Sequence, residues 1–180
     1  MPAKDFDTRL NVDRVDTPIG HALLVTDEEG RLRALDWEDH EERFLRLLRR
    51  FYGALALDEA AAPRAVREPL RRYFDGDLAA LGDIAWRAPG TDFQRAVWTA
   101  LTKIPAGETR SYAALATAIG KPSAVRAVGH ANGANPLSIV VPCHRLIGSD
   151  GSLTGYGGGL ARKRWLLEHE GAIPASGSAS

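Results

Sequence analysis

One residue in this 180-residue chain carries a thiol, Cys143, and a histidine follows it directly in Pro142-Cys143-His144-Arg145. A thiol is mostly protonated at neutral pH, and a neighbouring base or cation that favours the thiolate turns it into a nucleophile. Side chains adjacent on an extended strand point to opposite faces, so Cys143 and His144 meet only if the backbone bends there or a water bridges them. The same cysteine also fits a blander description, a small buried hydrophobe after an apolar segment. That segment, Ile139-Val140-Val141, is β-branched and is expected to be a buried strand running into the turn at Pro142.

Two features downstream have types that bear on chemistry. Thr154-Gly155-Tyr156-Gly157-Gly158-Gly159 holds too much glycine for a helix or strand and reads as a loop whose backbone can approach a planar ligand closely. It is not a phosphate cradle, because the GxxxxGK[ST] and GxGxxG patterns are absent. Leu160–His169 reads as a helix closed by Gly171, which leaves Glu170 at a C-terminus where the macrodipole disfavours an anion. Either a partner elsewhere holds that carboxylate or solvent does.

The elements that must position these residues begin at Thr91-Asp92-Phe93-Gln94, a capping box for a helix to about Lys103 with Phe93, Val97, Ala100 and Leu101 on one face. Ser111 is expected to cap a helix over Tyr112–Ile119, and Gly120-Lys121-Pro122 to break it before a second helix over Ser123–Asn132, the outline of a helix-turn-helix. That second helix is poor in large side chains. Val125 and Val128 are expected to face the core, Arg126 is its one long projection, and Gly129 inside it costs about 1 kcal/mol relative to Ala. The pattern fits a tight helix–helix contact, and it fits a helix laid into a DNA groove with one inserted cation.

The first half offers no concentrated chemistry. Leu10–Val15, Ala22–Thr26 and Leu32–Trp37, separated by turn signals, predict a strand meander; Phe44, Leu47, Leu48 and Phe51 predict one helical face, and Pro69–Phe74 a short helix ending near Gly76. Residues 1–90 are expected to be an α/β structural domain, 91–171 the chemical one, and 172–180 a flexible tail. Formal charge sums to zero over the chain, but residues 1–90 hold 14 Lys/Arg against 18 Asp/Glu, net −4, and residues 91–180 hold 9 against 5, net +4. The second half is therefore the better polyanion binder. A 44% apolar composition supports a sizeable core, and no stretch approaches the roughly 18 apolar residues of a membrane span, so a soluble, cytoplasmic, unsecreted protein is expected. One cysteine and five scattered histidines suggest neither disulfide nor metal site.

Pro142-Cys143-His144-Arg145, with Arg126-Ala127-Val128-Gly129 and Asn135-Pro136 upstream and Gly155-Tyr156, Lys163, Trp165-Leu166-Leu167 and His169-Glu170-Gly171 downstream, resembles the O6-alkylguanine-DNA alkyltransferases, most of all their constitutive bacterial, Ogt-like members. The resemblance spans about Thr91–Gly171, and Thr17-Pro18-Ile19-Gly20 to Trp37 looks like the family's N-terminal domain. It implies an α+β two-domain protein with a ribonuclease-H-like N-terminal domain and a mostly helical C-terminal one, whose helix-turn-helix enters the minor groove of double-stranded DNA and whose pocket receives a flipped alkylated base. By position, Cys143 would be the nucleophile, His144 its base through water, and Glu170 the group orienting that base. Tyr112 would crowd the phosphate and give a proton to the leaving guanine, Asn135 would be the hinge, and Arg126 would fill the gap in the stack. Ser123, Ala127, Gly129 and Ala131 would face DNA, while Ser138, Val141, Tyr156, Gly157, Gly158 and Lys163 would form the substrate pocket. Ser138 stands where some relatives have proline and Gly157 where others have serine, both matters of pocket shape. The resemblance further implies no cofactor, no metal, a monomer without an obligate protein partner, and a single irreversible transfer from O6-alkylguanine, with O4-alkylthymine a second substrate.

Three other classes fit less well. A non-catalytic damage sensor would carry another residue at position 143. A major-groove regulator would display several long polar residues on its second helix. A thiol protease would need a separate His/Asn constellation, which is not identifiable.

Overall fold

The computed structural model describes residues 9–175, and the last five residues of the expected tail lie outside the described residues. The chain is a mixed α/β protein whose contacts divide it into two compact units, Met1–Pro89 and Gly90–Ser180.

The first unit is built on β1 (Arg9–Thr17), β2 (Gly20–Thr26) and β3 (Leu32–Trp37), an antiparallel meander as expected, with β4 (Ala56–Glu59) added parallel to β1 to give the order β3-β2-β1-β4. Ala56–Glu59 escaped the sequence reading because it is short and polar and is recruited by pairing with β1 alone. Alternation along β2 sends Leu23 and Val25 to one face, where they join Leu10 and Ala34 against Phe44 and Leu48 of α1 (Glu41–Tyr52). Leu45 and Tyr52 flank that cluster, so the buried face of α1 lies slightly rotated from the expected Phe44/Leu47/Leu48/Phe51 stripe. The next helix, α2, runs over Arg64–Phe74 and starts five residues before the expected Pro69. Proline in mid-helix lacks a donor N–H, yet Pro69 is buried together with Val66, Leu70 and Tyr73, and that packing holds the helix through it.

In the second unit, α3 (Asp92–Thr102) opens with the expected capping box, Gln94 N–H donating to Thr91 Oγ1 at 3.1 Å and Thr91 N–H to Gln94 Oε1 at 3.0 Å. The Ser111 hydroxyl caps α4 (Tyr112–Ala118) by accepting from Ala114 N at 3.0 Å. Gly120, at φ 75°, ends α4 in a Schellman turn: Lys121 N–H bonds Ala116 O and Gly120 N–H bonds Thr117 O. Helix α5 is Val125–Gly133, two residues later than expected, which leaves Ser123 exposed in the turn before it. Val125 is also exposed, not in the core as expected, because the inward face of α5 begins one turn later with Val128, Ala131 and Asn132. Two short strands, β5 (Arg110–Ser111) and β6 (Leu146–Ile147), pair in parallel, and α6 (Leu160–His169) ends at Gly171 in a second Schellman turn.

Trp98 joins α3 to α5. Its indole is buried and donates to Ala131 O at 2.8 Å, a carbonyl left over because Asn135 N–H turns to Asn132 O instead. Trp98→Phe keeps most of the packing and strands that carbonyl, so it is expected to lower stability by about 1–2 kcal/mol in urea unfolding. A midpoint unchanged from wild type contradicts that assignment.

Candidate active site

Cys143 does not follow a strand. Residues 138–141 form successive turns, with Val140 N–H bonded to Ser138 O at 2.8 Å and Val141 N–H to Leu137 O at 2.9 Å. The β-branched composition of Ile139-Val140-Val141 suggested extended backbone, but Asn135 overrides it by local side-chain bonding. Its Oδ1 accepts from Leu137 N (2.9 Å) while its Nδ2 donates to Val141 O (2.8 Å). The tight curl forces Ile139 to φ 69°, a left-handed conformation that costs a β-branched residue on the order of 1–3 kcal/mol. Ile139 is fully buried, so packing holds it there. Pro142, at φ −80° and ψ 66°, then makes an inverse γ-turn closed by Cys143 N–H to Val141 O at 2.7 Å. Cys143–Arg145 coil into a 3₁₀ turn and Leu146 enters β6. This bend is the one that contact between adjacent Cys143 and His144 side chains requires.

The histidine is fully buried, its Nε2 2.6 Å from Glu170 Oε1. Glu170, at the C-cap of α6, is not held by solvent. Arg145 grips it in a fork, Nε to Oε2 and Nη2 to Oε1, both at 2.9 Å, and sends Nη1 to Ile104 O at 2.6 Å. Burial would raise the Glu170 pKa, but the hydrogen bonds and charges of His144 and Arg145 win and hold it at about 2. Burial pushes His144 below its ordinary 6.5, against the pull of Glu170. The pair at neutral pH is thus a carboxylate and a neutral imidazole. A carboxylate only accepts, so Nε2 carries the ring proton and Nδ1 presents its lone pair, with no hydrogen-bond partner among the described residues. The arrangement is a buried thiol beside a neutral imidazole whose proton and orientation a third group sets.

Around this core, Ser138 Oγ and Tyr156 Oη lie 2.7 Å apart, and the Tyr156 ring meets His144 edge-on at 6.5 Å. Tyr112 Oη donates to Thr154 O at 3.3 Å, which sets it against the glycine-rich loop. Lys163 is wholly buried. Its ammonium caps the carbonyls of Leu146 (2.5 Å), Thr154 (2.8 Å) and Gly155 (3.5 Å), and burial pushes its pKa down to about 8 while the charge of Cys143 opposes the shift. Val141 and Gly158 are buried and Gly157 partly so. Arg126 is exposed in the first turn of α5 and makes no ion pair among the described residues; Ala127 beside it is exposed, Gly129 is half-buried, and Ala131 is buried on the inner face.

Known proteins resemble this chain over most of its length. The family described as 6-O-methylguanine DNA methyltransferase, DNA binding domain, matches residues 92–172. A methylated-DNA–protein-cysteine methyltransferase of Salmonella typhimurium is 48% identical over 167 residues, 92% of this chain and 98% of the relative. The chain belongs to this family of methyltransferases. The Methanosarcina barkeri protein of the same name is 45% identical over 161 residues, 88% of this chain and 95% of its own. Among solved structures, Mycobacterium tuberculosis OGT in complex with DNA superposes with a TM-score of 0.73 at 41% identity, covering 91% of this chain and 93% of that one.

Two residues of this methyltransferase that the sequence reading left without a role belong to the site. Arg145 stood next to Cys143 and His144 in the motif, but its partner is 25 residues away, beyond any local signal. Asn132 is buried on the inner face of α5 and donates to Cys143 O at 3.5 Å, tying that helix to the nucleophile's backbone. Only the break in apolar spacing along α5 hinted at it.

The pKa shifts fix how stability responds to acid. Both groups are shifted down on folding, so the unfolded chain binds protons more readily. The contribution of His144 is present above pH 6.5 and is lost as pH falls further; that of Glu170 is present above 4.5 and fades as pH falls toward about 2. Urea midpoints are expected to drop in two stages on acidification, and Glu170→Gln to remove about 3 kcal/mol at neutral pH by leaving Arg145 buried without its counter-ion. A wild-type midpoint that stays level from pH 7 to about pH 5 contradicts the neutral imidazole.

Proposed function

We propose that this chain repairs DNA by transferring the alkyl group of O6-alkylguanine to Cys143, irreversibly and once per chain. The observation that carries the proposal is the buried Glu170–His144 pair, next in sequence to the one thiol and with Nδ1 of the ring left unbonded among the described residues. Nδ1 takes the thiol proton through a water. The thiolate attacks the alkyl carbon, an S–C bond forms, and the C–O6 bond breaks with its electron pair passing to guanine, which takes up a proton as it leaves. The Tyr112 hydroxyl, at the edge of the loop at Thr154, is the proton donor we assign. No cofactor enters the reaction, and O4-alkylthymine is the second substrate we assign on the same chemistry.

Residues 91–171 form the DNA-binding and transfer domain on this reading, with α4 and α5 as a helix-turn-helix set in the minor groove. Residues 1–90 form a ribonuclease-H-like structural domain. Arg126 fills the gap left by the flipped nucleotide, and Asn135 is the hinge between α5 and the site. The pocket is lined by Ser138, Val141, Tyr156, Gly157 and Gly158, with Lys163 holding the loop that closes it. The composition of α5 supports this. A Cβ at Gly129 would make only an ordinary 3.9 Å contact with Tyr112 Cδ1, and one at Gly133 would meet nothing within 4 Å, so neither glycine is demanded by packing inside the chain. Neither has positive φ. A helix that accepts such residues for no internal reason is bare for an outside surface to approach.

Intact-mass spectrometry after mixing with an oligonucleotide containing O6-methylguanine is expected to show one added methyl per chain, mapped to Cys143. Cys143→Ser is expected to show none while still binding the duplex. More than one methyl removed per chain would defeat the single-use mechanism. Gly129→Ala is expected to raise stability by about 0.5–1 kcal/mol and to weaken duplex binding. A variant that gains stability and binds as well as wild type shows that α5 is not the DNA-facing helix.

A further inference from the structure

Helix α5 carries a second long polar side chain on its bare face, and the proposed reaction gives it no role. Successive residues turn by about 100°, and the buried side of α5 is marked by Val128, Ala131 and Asn132. The opposite side therefore centres on Arg126 and His130, four residues apart and about 6 Å along the axis. Both are exposed. Around His130 the surface is stripped: Gly129 and Gly133 carry no side chain and Ala127 only a methyl. Whatever surface reaches Arg126 along this face meets His130 one turn further on.

We propose that His130 is a second DNA-contacting residue of this chain, adding a cationic contact to the duplex when its imidazole is protonated. The proposal rests on the reading that α5 faces DNA and extends it to a dependence of affinity on pH. Histidine is the side chain that gains charge between pH 8 and 5, and the oxygen acceptors of the groove and backbone attract that charge. The helices packed on α5 offer nothing that competes. On α3 the charged groups are Asp92 and Arg95, hydrogen-bonded to each other, and on α4 Tyr112 is engaged at Thr154. Lys121, in the turn before α5, lies over the Phe93 ring, and Arg126 is the other charge on α5 itself. Among the described residues none of these is bonded to the imidazole of His130.

The test is fluorescence anisotropy of an undamaged duplex with the full chain at about pH 7.5 and pH 6, across a salt series. One added phosphate-type contact steepens the slope of log K against log salt by about 0.9, which at 0.1 M salt amounts to roughly eightfold tighter binding. Wild type is expected to tighten several-fold at the lower pH, with that factor as the upper limit, whereas His130→Ala and His130→Gln stay level, with circular dichroism and urea midpoints matching wild type at each pH. Arg126→Ala weakens binding at both pH values if α5 faces DNA. A pH-independent wild type, or equal tightening in the two His130 variants, overturns the assignment of His130 alone. Absence of duplex binding at either pH overturns the DNA-facing reading of α5 and His130 with it.

Discussion

One buried carboxylate, Glu170, holds both residues that follow the nucleophile, His144 and Arg145. Its two oxygens serve a guanidinium and an imidazole at once, and the division of labour between those partners decides the chemistry. The carboxylate pulls a proton toward the ring, but burial of His144 outweighs that pull, and the positive charge of Arg145 adds to the effect of burial, so the ring stays neutral. The cost of burying three such groups is offset only because they satisfy one another. This is why the loss of one member is more damaging than the modest worth of an exposed ion pair would suggest.

Cys143 is placed by a different device. The turns at 138–142 are held by the Asn135 amide on one side and by the γ-turn at Pro142 on the other. Strain at Ile139 is affordable because the residue is fully buried and has no room to relax. From the other direction Asn132 fastens α5 to the carbonyl of Cys143 while Trp98 fastens α5 to α3. Helix, turn and nucleophile are thus joined by hydrogen bonds. On the proposed mechanism Asn135, the hinge between α5 and the site, is also the residue that holds the turn placing the sulfur.

What could be read in advance was what local chemistry decides. Thr91 and Gln94 announce their helix because both capping bonds lie within four residues, and Gly120 and Gly171 announce two helix ends because a left-handed position favours glycine. Glu170 drew attention for a local reason, an anion at a helix C-terminus, but the guanidinium and imidazole that hold it lie 25 and 26 residues away. The Ile139–Val141 segment was misread because β-branched content is a weaker constraint than a side-chain amide bonded to its own backbone, which no periodicity reveals. Val125 was misread because helical spacing tells which residues share a face, not how far the neighbouring helices extend along it. The Cys-His-Arg motif pointed to the site; the role of Arg145 within it emerged only from the fold.

The burial of Cys143 bears on something other than the speed of repair. At 7% exposure its side chain is shut away from solvent. A protein that spends its nucleophile once has no second chance if an oxidant or a stray electrophile reaches the sulfur first. On the proposed single-use mechanism, seclusion of the thiol acts as a safeguard on inventory: each chain stays unspent until a flipped base is delivered to it, and the number of lesions a cell can mend equals the number of chains still intact.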